Sequence, residues 1–340
     1  MEKKNESLMT HEQTFRAFMA DRTGDEISLT IRKLLIEDLP KGDVTVEEEY
    51  SDVNYKDGLV CSSEGRVAKS YPLIPGIDLA GRVVESNSPE LKKGDSVLVT
   101  GYELGVSRHG GFAEYSRVPK NWVVPIPSGL DAKKSMIFGT AGFTAALCIH
   151  ALQANKIYPE NGPIIVTGAS GGVGSVAVAI LSKLGYKVIA ITRRVTLRDY
   201  LEKLGASEVI AFGENYGDRA LEKEEWAGAI DPVGGQEVAY LLKKIKYGGS
   251  VALCGLAGGA NFSSTVYPFI LRGVNLLGID STYCPMPHRL AVWKKLANEW
   301  SLSQNILDQL CNEVALDELP RVLKAVLKGE ARGRTIVKLA

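Results

Sequence analysis

The run Pro163-Ile164-Ile165-Val166-Thr167-Gly168-Ala169-Ser170-Gly171-Gly172-Val173-Gly174 joins an apolar strand to a glycine-rich turn, and Ser175–Leu184 continues it as an apolar helix. A strand, a glycine turn and a helix in that order form a phosphate cradle. Glycines let the backbone approach a pyrophosphate, and the helix start offers unpaired N–H groups at the positive end of its dipole. Taken as G-x-G-x-x-G, the motif has Ala169 in place of its first glycine, so its weight comes from its setting. A tight βα turn that binds nothing is the competing reading. The complete βαβ unit favours the cradle, with Ser170, Gly171, Gly172 and Val173 as cofactor-binding residues.

Downstream, Lys187–Ile191, Glu208–Ala211, Trp226–Asp231, Ser250–Cys254 and Asn275–Ile279 are further short apolar runs separated by helix-period segments. Together with Pro163–Thr167 they predict an α/β unit of the Rossmann kind, a doubly wound parallel six-stranded sheet. Upstream, Val44–Tyr50, Asp78–Glu85, Asp95–Thr100, Phe112–Val118 and Trp122–Pro125 are punctuated by Gly and Pro and predict a compact antiparallel β domain. After Asp280 the helical Arg289–Asn298 and Leu319–Leu327 and the strand-like Thr335–Leu339 are expected to return to that first domain. The expected division is therefore 1–135, 136–280 and 281–340.

The kind of dinucleotide is legible about 20 residues past the turn, where an NAD site places an Asp or Glu against the ribose 2′-OH. Here the second strand ends Ile191-Thr192-Arg193-Arg194. A hydroxyl and two guanidinium groups with no carboxylate suit a 2′-phosphate, so NADPH is the expected cofactor, held by Thr192, Arg193 and Arg194. The bland alternative, a solvated arginine pair opening a helix, leaves the missing carboxylate unexplained.

Composition agrees with a small-molecule partner. The 340 residues suggest two domains at roughly 150 each, and 45% hydrophobic with 24% charged residues excludes disorder and a fibrous fold. Forty basic residues balance forty acidic ones, which removes the positive excess that draws nucleic acid or an anionic membrane surface. Cys61, Cys148, Cys254, Cys284 and Cys311 are scattered with no Cys-x-x-Cys, so a reduced, metal-free, cytoplasmic protein is expected. Glu2–Asn5 is polar with no apolar region behind it, unlike a secretory signal. Ser135–Asn155 and Asn161–Ser182 lack charges, but glycines, polar residues and Pro163 argue against membrane spans.

The chain resembles the medium-chain dehydrogenase/reductase superfamily, and within it the zinc-free quinone oxidoreductase-like branch. The residues that carry this are Asn54-Tyr55-Lys56-Asp57, Pro72-Leu73-Ile74-Pro75-Gly76-Ile77-Asp78-Leu79-Ala80-Gly81, Gly139-Thr140-Ala141-Gly142-Phe143-Thr144-Ala145, the glycine turn and Gly333-Arg334-Thr335. They look particularly like the acryloyl-CoA reductase group. The resemblance implies a GroES-like catalytic domain, a Rossmann domain inserted near its C-terminal end, and a cleft between them for the nicotinamide. Where the zinc alcohol dehydrogenases carry Gly-His-Glu this chain has Gly76-Ile77-Asp78, and Asn54 stands at their first cysteine ligand. No metal site is expected, and a Lewis-acid mechanism is not.

The resemblance also puts Asn54 and Tyr55 beside the nicotinamide. Tyr55 is the candidate acid, either hydrogen-bonding the substrate oxygen or protonating its α-carbon, and Asp57 with Lys56 holds the loop or relays a proton. Against this stands a packing Tyr55, a turn-forming Asp57 and water as proton source. Thr140 and Thr144 are read either as backbone-approach positions or as packing, while Leu256 and Phe269-Ile270 match family positions that line the nicotinamide side and Arg334 one near the cofactor or substrate phosphate. Arg66, Lys69, Arg108 and Arg334 are candidate cations for a coenzyme A substrate. Asp231-Pro232 suits a structural turn. His109 is read as a lone loop residue, and His11, His150 and His288 as too scattered for a metal site. A homodimer through the edge near Asn275–Ile279 is expected.

Three functions follow in order. The first is an NADPH-dependent reductase of activated carbon–carbon double bonds, best matched to acryloyl-CoA or a short enoyl thioester. The second is an NADPH:quinone oxidoreductase, and the third a non-enzymatic NADPH-binding protein.

Overall fold

The computed structural model describes residues 13–213 and 219–340, so the polar start Glu2–Asn5 and His11 lie outside the described residues. Contacts divide the chain into two units, the first taking the chain up to Ile126, Val314–Leu327 and Val337–Ala340 and the second Pro127–Glu313 and Lys328–Ile336.

The first unit opens with a hairpin that has no counterpart among the expected strands. β1 (Thr14–Thr23) and β2 (Glu26–Leu35) pair in antiparallel register from Thr14↔Leu35 to Thr23↔Glu26. Gly24, at φ +62°, opens the two-residue turn that this register requires. Then follow β3 (Val44–Val53), α1 (Tyr55–Val60), β4 (Asp78–Ser86), β5 (Ser96–Thr100), β6 (Tyr115–Val118) and β7 (Val124–Pro125), with β3 paired antiparallel to both β4 and β6. Phe15, Phe18, Val53, Ile74 and Phe112 form its core, and Phe18 meets Phe112 edge to face at 6.2 Å.

The second unit runs α2 (Ala132–Ala154), β8 (Ile164–Val166), α3 (Gly172–Lys183), β9 (Val188–Thr192), α4 (Arg198–Lys203), β10 (Glu208–Ala211), β11 (Trp226–Asp231), α5 (Gln236–Lys244), β12 (Ile245–Leu253), α6 (Tyr267–Arg272), β13 (Asn275–Gly278), α7 (Met286–Ala297) and α8 (Gln304–Leu310). Its six strands lie in the order β10-β9-β8-β11-β12-β13, all parallel. The order reverses between β8 and β11, and such a switch point is where doubly wound sheets bind ligands, at the C-terminal strand ends. The apolar α2 is a core helix, with 83% of its most hydrophobic window buried. Gly139, at φ +51°, breaks it into two segments.

β14 (Cys311–Ala315), α9 (Leu319–Leu327) and β15 (Arg334–Lys338) complete the chain, and β14-β15-β3-β4-β5-β7 is the order of the larger sheet, antiparallel along β3-β4-β5-β7. The expected boundaries at 135 and 280 are corrected here. The second unit begins at Pro127 and keeps residues 281–313, because α7 lies on α2: Trp293 stacks on Phe143 at 5.8 Å, and the Arg289 guanidinium sits 4.9 Å from the Phe143 ring. Burying an indole and a guanidinium against one ring outweighs sequence proximity to the returning segments.

Glu48, on β3, is fully buried with neither carboxylate oxygen hydrogen-bonded, and burial pushes its pKa well above the ordinary value. The nearby Ser116 hydroxyl offsets this only in part, since it donates to the Gly110 carbonyl at 2.9 Å. A raised folded-state pKa favours folding only while the carboxyl is protonated, and that advantage disappears as pH rises through it. Glu48→Gln should therefore raise stability by about 1–2 kcal/mol at pH 8 and change little at pH 4, read from urea midpoints at the two pH values. Equal effects at both would rule out ionisation as the cause.

Candidate active site

The cofactor-side residues belong to the second unit. α3 starts at Gly172 with Gly171 as N-cap, and no side chain caps it. The first-turn N–H groups are left for a ligand. Gly171 N–H donates to the Gly168 carbonyl at 2.9 Å, and Gly168 adopts φ +52°. A Cβ on Gly174 would stand 2.4 Å from the Gly168 oxygen, and one on Gly172 2.8 Å from Arg334 Nη1. Ala169 fills the place of the motif's first glycine, fully buried and donating its N–H to Ile191 O at 3.1 Å. The bare helix start fits a pyrophosphate, as the sequence predicts.

At the end of β9 the polar residues converge. Ser170 Oγ lies 3.2 Å from Thr192 Oγ1, Arg194 Nη2 donates to Ser170 Oγ at 3.0 Å, and Arg194 N–H donates to Thr192 Oγ1 at 3.1 Å. The Arg194 guanidinium also donates to the Glu330 and Ala331 carbonyls, each at 2.6 Å. Arg193 pairs with the buried carboxylate of Glu237 at 3.2 Å and lies 5.5 Å from the Phe212 ring. Neither Glu237 nor the 330–332 segment was among the expected site residues. Glu237 carries no motif, and Ala331 lies 137 residues beyond Arg194.

Other expected cofactor positions divide. Val173 follows in the first turn of α3. Thr144 is buried with its hydroxyl donating to the Thr140 carbonyl at 2.7 Å, a local helix bond. Arg334, expected near the cofactor or a substrate phosphate, is 2% exposed and donates from Nε to Ile137 O at 3.1 Å. It stands beside the glycine turn, where a Cβ on Gly172 would meet its Nη1 at 2.8 Å. Leu256 is 62% exposed just past the C-terminal end of β12. Ile270, 69% exposed on α6, is not brought to that edge: Arg272 of the same short helix donates to the Lys243 and Ile245 carbonyls, where β12 begins. Asp231 accepts from Thr167, from Val233 N–H at 3.1 Å and from Gly234 N–H at 3.0 Å, a turn anchor as expected.

The substrate-side candidates lie in the first unit, around the start of α1. Asn54 is its N-cap, and its Nδ2 donates to Asp52 Oδ1 at 2.6 Å and Asp78 Oδ2 at 2.8 Å. The fully buried Asp57 accepts from Asn54 N–H at 2.7 Å and Ile77 N–H at 2.9 Å, tying the helix start to the Gly76-Ile77 loop. Burial raises the Asp57 pKa to about 7 against those two hydrogen bonds, and Asp78 adds to the rise. Tyr55, the first helical residue, is 40% exposed. Asp52 was not singled out from the sequence, and Asp78 was noted only for its place in the Gly76-Ile77-Asp78 stretch, since nothing local marks a carboxylate that accepts from a neighbouring amide.

The remaining polar candidates have structural partners. His109 is part-buried and accepts from Ile74 N–H at 3.3 Å through Nδ1, with burial and then Arg108 lowering its pKa. Arg108 lies 5.8 Å from the Trp122 ring, and Lys69 pairs with Glu103 at 2.9 Å, while Arg66 is exposed. His150 and His288, scattered in sequence, meet at 4.9 Å between ring centres. Among the described residues no group of three His, Cys, Asp or Glu is placed to hold a metal ion.

Known proteins match across this whole arrangement. The family described as "Alcohol dehydrogenase GroES-like domain" matches residues 40–128, and that described as "Zinc-binding dehydrogenase" matches 172–298. YhfP of Bacillus subtilis, provisionally named a quinone oxidoreductase, is 51% identical over 96% of this chain and 99% of its own length. Its crystal structure with NAD bound covers 96% of this chain and 100% of its own with a TM-score of 0.93. Acrylyl-CoA reductase AcuI of Ruegeria pomeroyi is 45% identical over 95% of this chain and 98% of its own. YhdH of Escherichia coli K-12, crystallised with NADPH, is 45% identical with a TM-score of 0.93, covering 95% of this chain and 100% of its own.

Because the folded-state pKa of Asp57 is raised, its ionisation costs stability between about pH 4 and pH 7, a cost absent below that window. Asp57→Asn should flatten the pH dependence of the urea midpoint between pH 5 and pH 8, whereas Asp57→Ala, which orphans two buried N–H groups, should lose about 2–4 kcal/mol at every pH. A wild-type-like pH slope in the asparagine variant would place the titration elsewhere.

Proposed function

The chain belongs to the medium-chain dehydrogenase/reductase family, in its quinone oxidoreductase-like branch, and from that premise we propose an NADPH-dependent reductase of activated carbon–carbon double bonds, with acryloyl-CoA or a related short enoyl thioester as substrate. The observation that carries the cofactor half is the corner of Ser170, Thr192, Arg193 and Arg194 beside the bare start of α3: hydroxyls and guanidinium groups stand where an NAD site would place a carboxylate. The thioester follows AcuI, which is named for that activity.

NADPH, when bound, supplies the reducing hydride. The first-turn N–H groups of α3 would hold its pyrophosphate, and the corner at the end of β9 its ribose phosphate. On the substrate side, Tyr55 donates a hydrogen bond where negative charge develops on the thioester oxygen and then a proton to the α-carbon. Asn54, with both amide hydrogens committed to Asp52 and Asp78, and Asp57, bound to two backbone N–H groups, set the position of Tyr55. Quinone reduction is the second reading, favoured by the name of YhfP, and it needs little help from an acid.

We place the protein in the cytoplasm, since all five cysteines are free thiols, and as a homodimer through β13. That strand is the sheet edge, and Leu256, Val266, Tyr267, Ile270 and Leu271 leave exposed apolar surface on the segments that lead to it.

NADPH oxidation followed by absorbance, with acryloyl-CoA and a benzoquinone in parallel and repeated with NADH, tests the proposal. A higher kcat/KM for the thioester with NADPH is expected; turnover confined to quinones would give the second reading its place, and none with either would leave an NADPH-binding protein without turnover. Tyr55→Phe should lower kcat for the thioester by 10²-fold or more while sparing quinone reduction, in the range of a lost general acid. An unchanged kcat would remove Tyr55 from the mechanism.

A further inference from the structure

We propose that Arg332, delivered to the end of β9 by the returning segment Lys328–Ile336, is the principal ligand of the cofactor's 2′-phosphate and sets the preference for NADPH over NADH. The proposal rests on the NADPH reading and assigns its selectivity to a residue outside the β9 motif.

The argument begins with what the two motif arginines already hold. Arg193 neutralises Glu237, a carboxylate with a side chain only 4% exposed, and withdrawing it would leave a buried charge alone. Arg194 spends its guanidinium on the carbonyls of Glu330 and Ala331 and on the Ser170 hydroxyl. Its geometry is that of a clasp fastening the returning segment to the glycine turn. Gly333 N–H completes the clasp, donating to Ser170 O at 3.0 Å. Gly333 sits at φ +60°, and a Cβ there would lie 2.3 Å from Leu310 O and 2.6 Å from the Tyr200 hydroxyl oxygen, so only glycine lets the chain pass.

Arg332 is thereby held at the same corner with different commitments. It is exposed, its guanidinium lies 4.8 Å from the ring of the buried Tyr200, and among the described residues no carboxylate or hydrogen-bond acceptor pairs with it. Burial and then the nearby Arg332 charge both lower the pKa of Arg194. Two guanidinium groups held together beside two hydroxyls, one of them on a rigid aromatic platform with all its donors unspent, form a site for a phosphate dianion. Stacking on Tyr200 reduces the rotamer freedom that binding would otherwise cost.

Two adenosine phosphates share this chemistry: the 2′-phosphate of NADPH and the 3′-phosphate of coenzyme A. Calorimetric titration of the full-length protein with adenosine 2′,5′-bisphosphate, adenosine 3′,5′-bisphosphate and 5′-AMP separates them without turnover. The wild type should bind the 2′,5′ compound more tightly than 5′-AMP. Arg332→Ala should weaken the 2′,5′ compound tenfold or more and 5′-AMP by less than twofold, with Arg332→Lys recovering part of the loss. An equal change for both, or none, overturns the proposal while leaving the NADPH reading intact. A loss confined to the 3′,5′ isomer assigns Arg332 to coenzyme A and overturns it as well. A wild type that does not discriminate the 2′,5′ compound from 5′-AMP overturns the NADPH reading and this assignment with it.

Discussion

The first turn of α3 has to stay bare, and much of the second unit is arranged around that requirement. No side chain caps the helix, and a capping oxygen would take the first-turn N–H groups that the proposed site offers to a pyrophosphate. The approach is equally strict: a methyl at Gly174 would fall 2.4 Å from the Gly168 carbonyl oxygen. Arg334 packs close to Gly172 and bonds the Ile137 carbonyl, so a buried guanidinium ties the turn to α2. Ala169 shows the limit of the requirement, since its methyl lies in the core and its N–H bonds Ile191, away from the ligand face.

The first unit solves a different problem, holding an exposed hydroxyl steady on a six-residue helix too short to be stable alone. It does so with buried carboxylates. Asp57 joins the helix start to the Gly76-Ile77 loop through two backbone N–H groups, and Asn54 spans Asp52 and Asp78. Burial draws the Asp57 pKa up to about 7, so the clamp is under electrostatic tension at neutral pH.

Much of this was legible in the chain. The strands Glu208–Ala211 and Trp226–Asp231 and the helix Leu319–Leu327 fall where the apolar periodicity predicts, because a buried parallel strand must be apolar throughout and a surface helix must repeat its apolar face. The hairpin of β1 and β2 escaped although Glu26–Arg32 alternates polar and apolar residues, because its apolar positions end up only half-buried and the run has no fully apolar stretch to mark it. Residues 281–313 escaped for another reason. Trp293 and Arg289 converge on Phe143, and no local pattern names the ring on which an indole will stack.

The sequence by itself determined the phosphate cradle, the missing ribose carboxylate and the identity of the loop carrying Asn54, Tyr55 and Asp57, because each depends on residue type at short spacing. Only the tertiary structure decided which guanidinium groups are spent. Arg193 answers a buried Glu237, Arg194 clasps backbone 137 residues further along, Arg334 is buried beside the glycine turn, and Arg332 arrives with its donors unpaired among the described residues. Charge is written in the sequence residue by residue, whereas the partners that neutralise it are brought together only by folding.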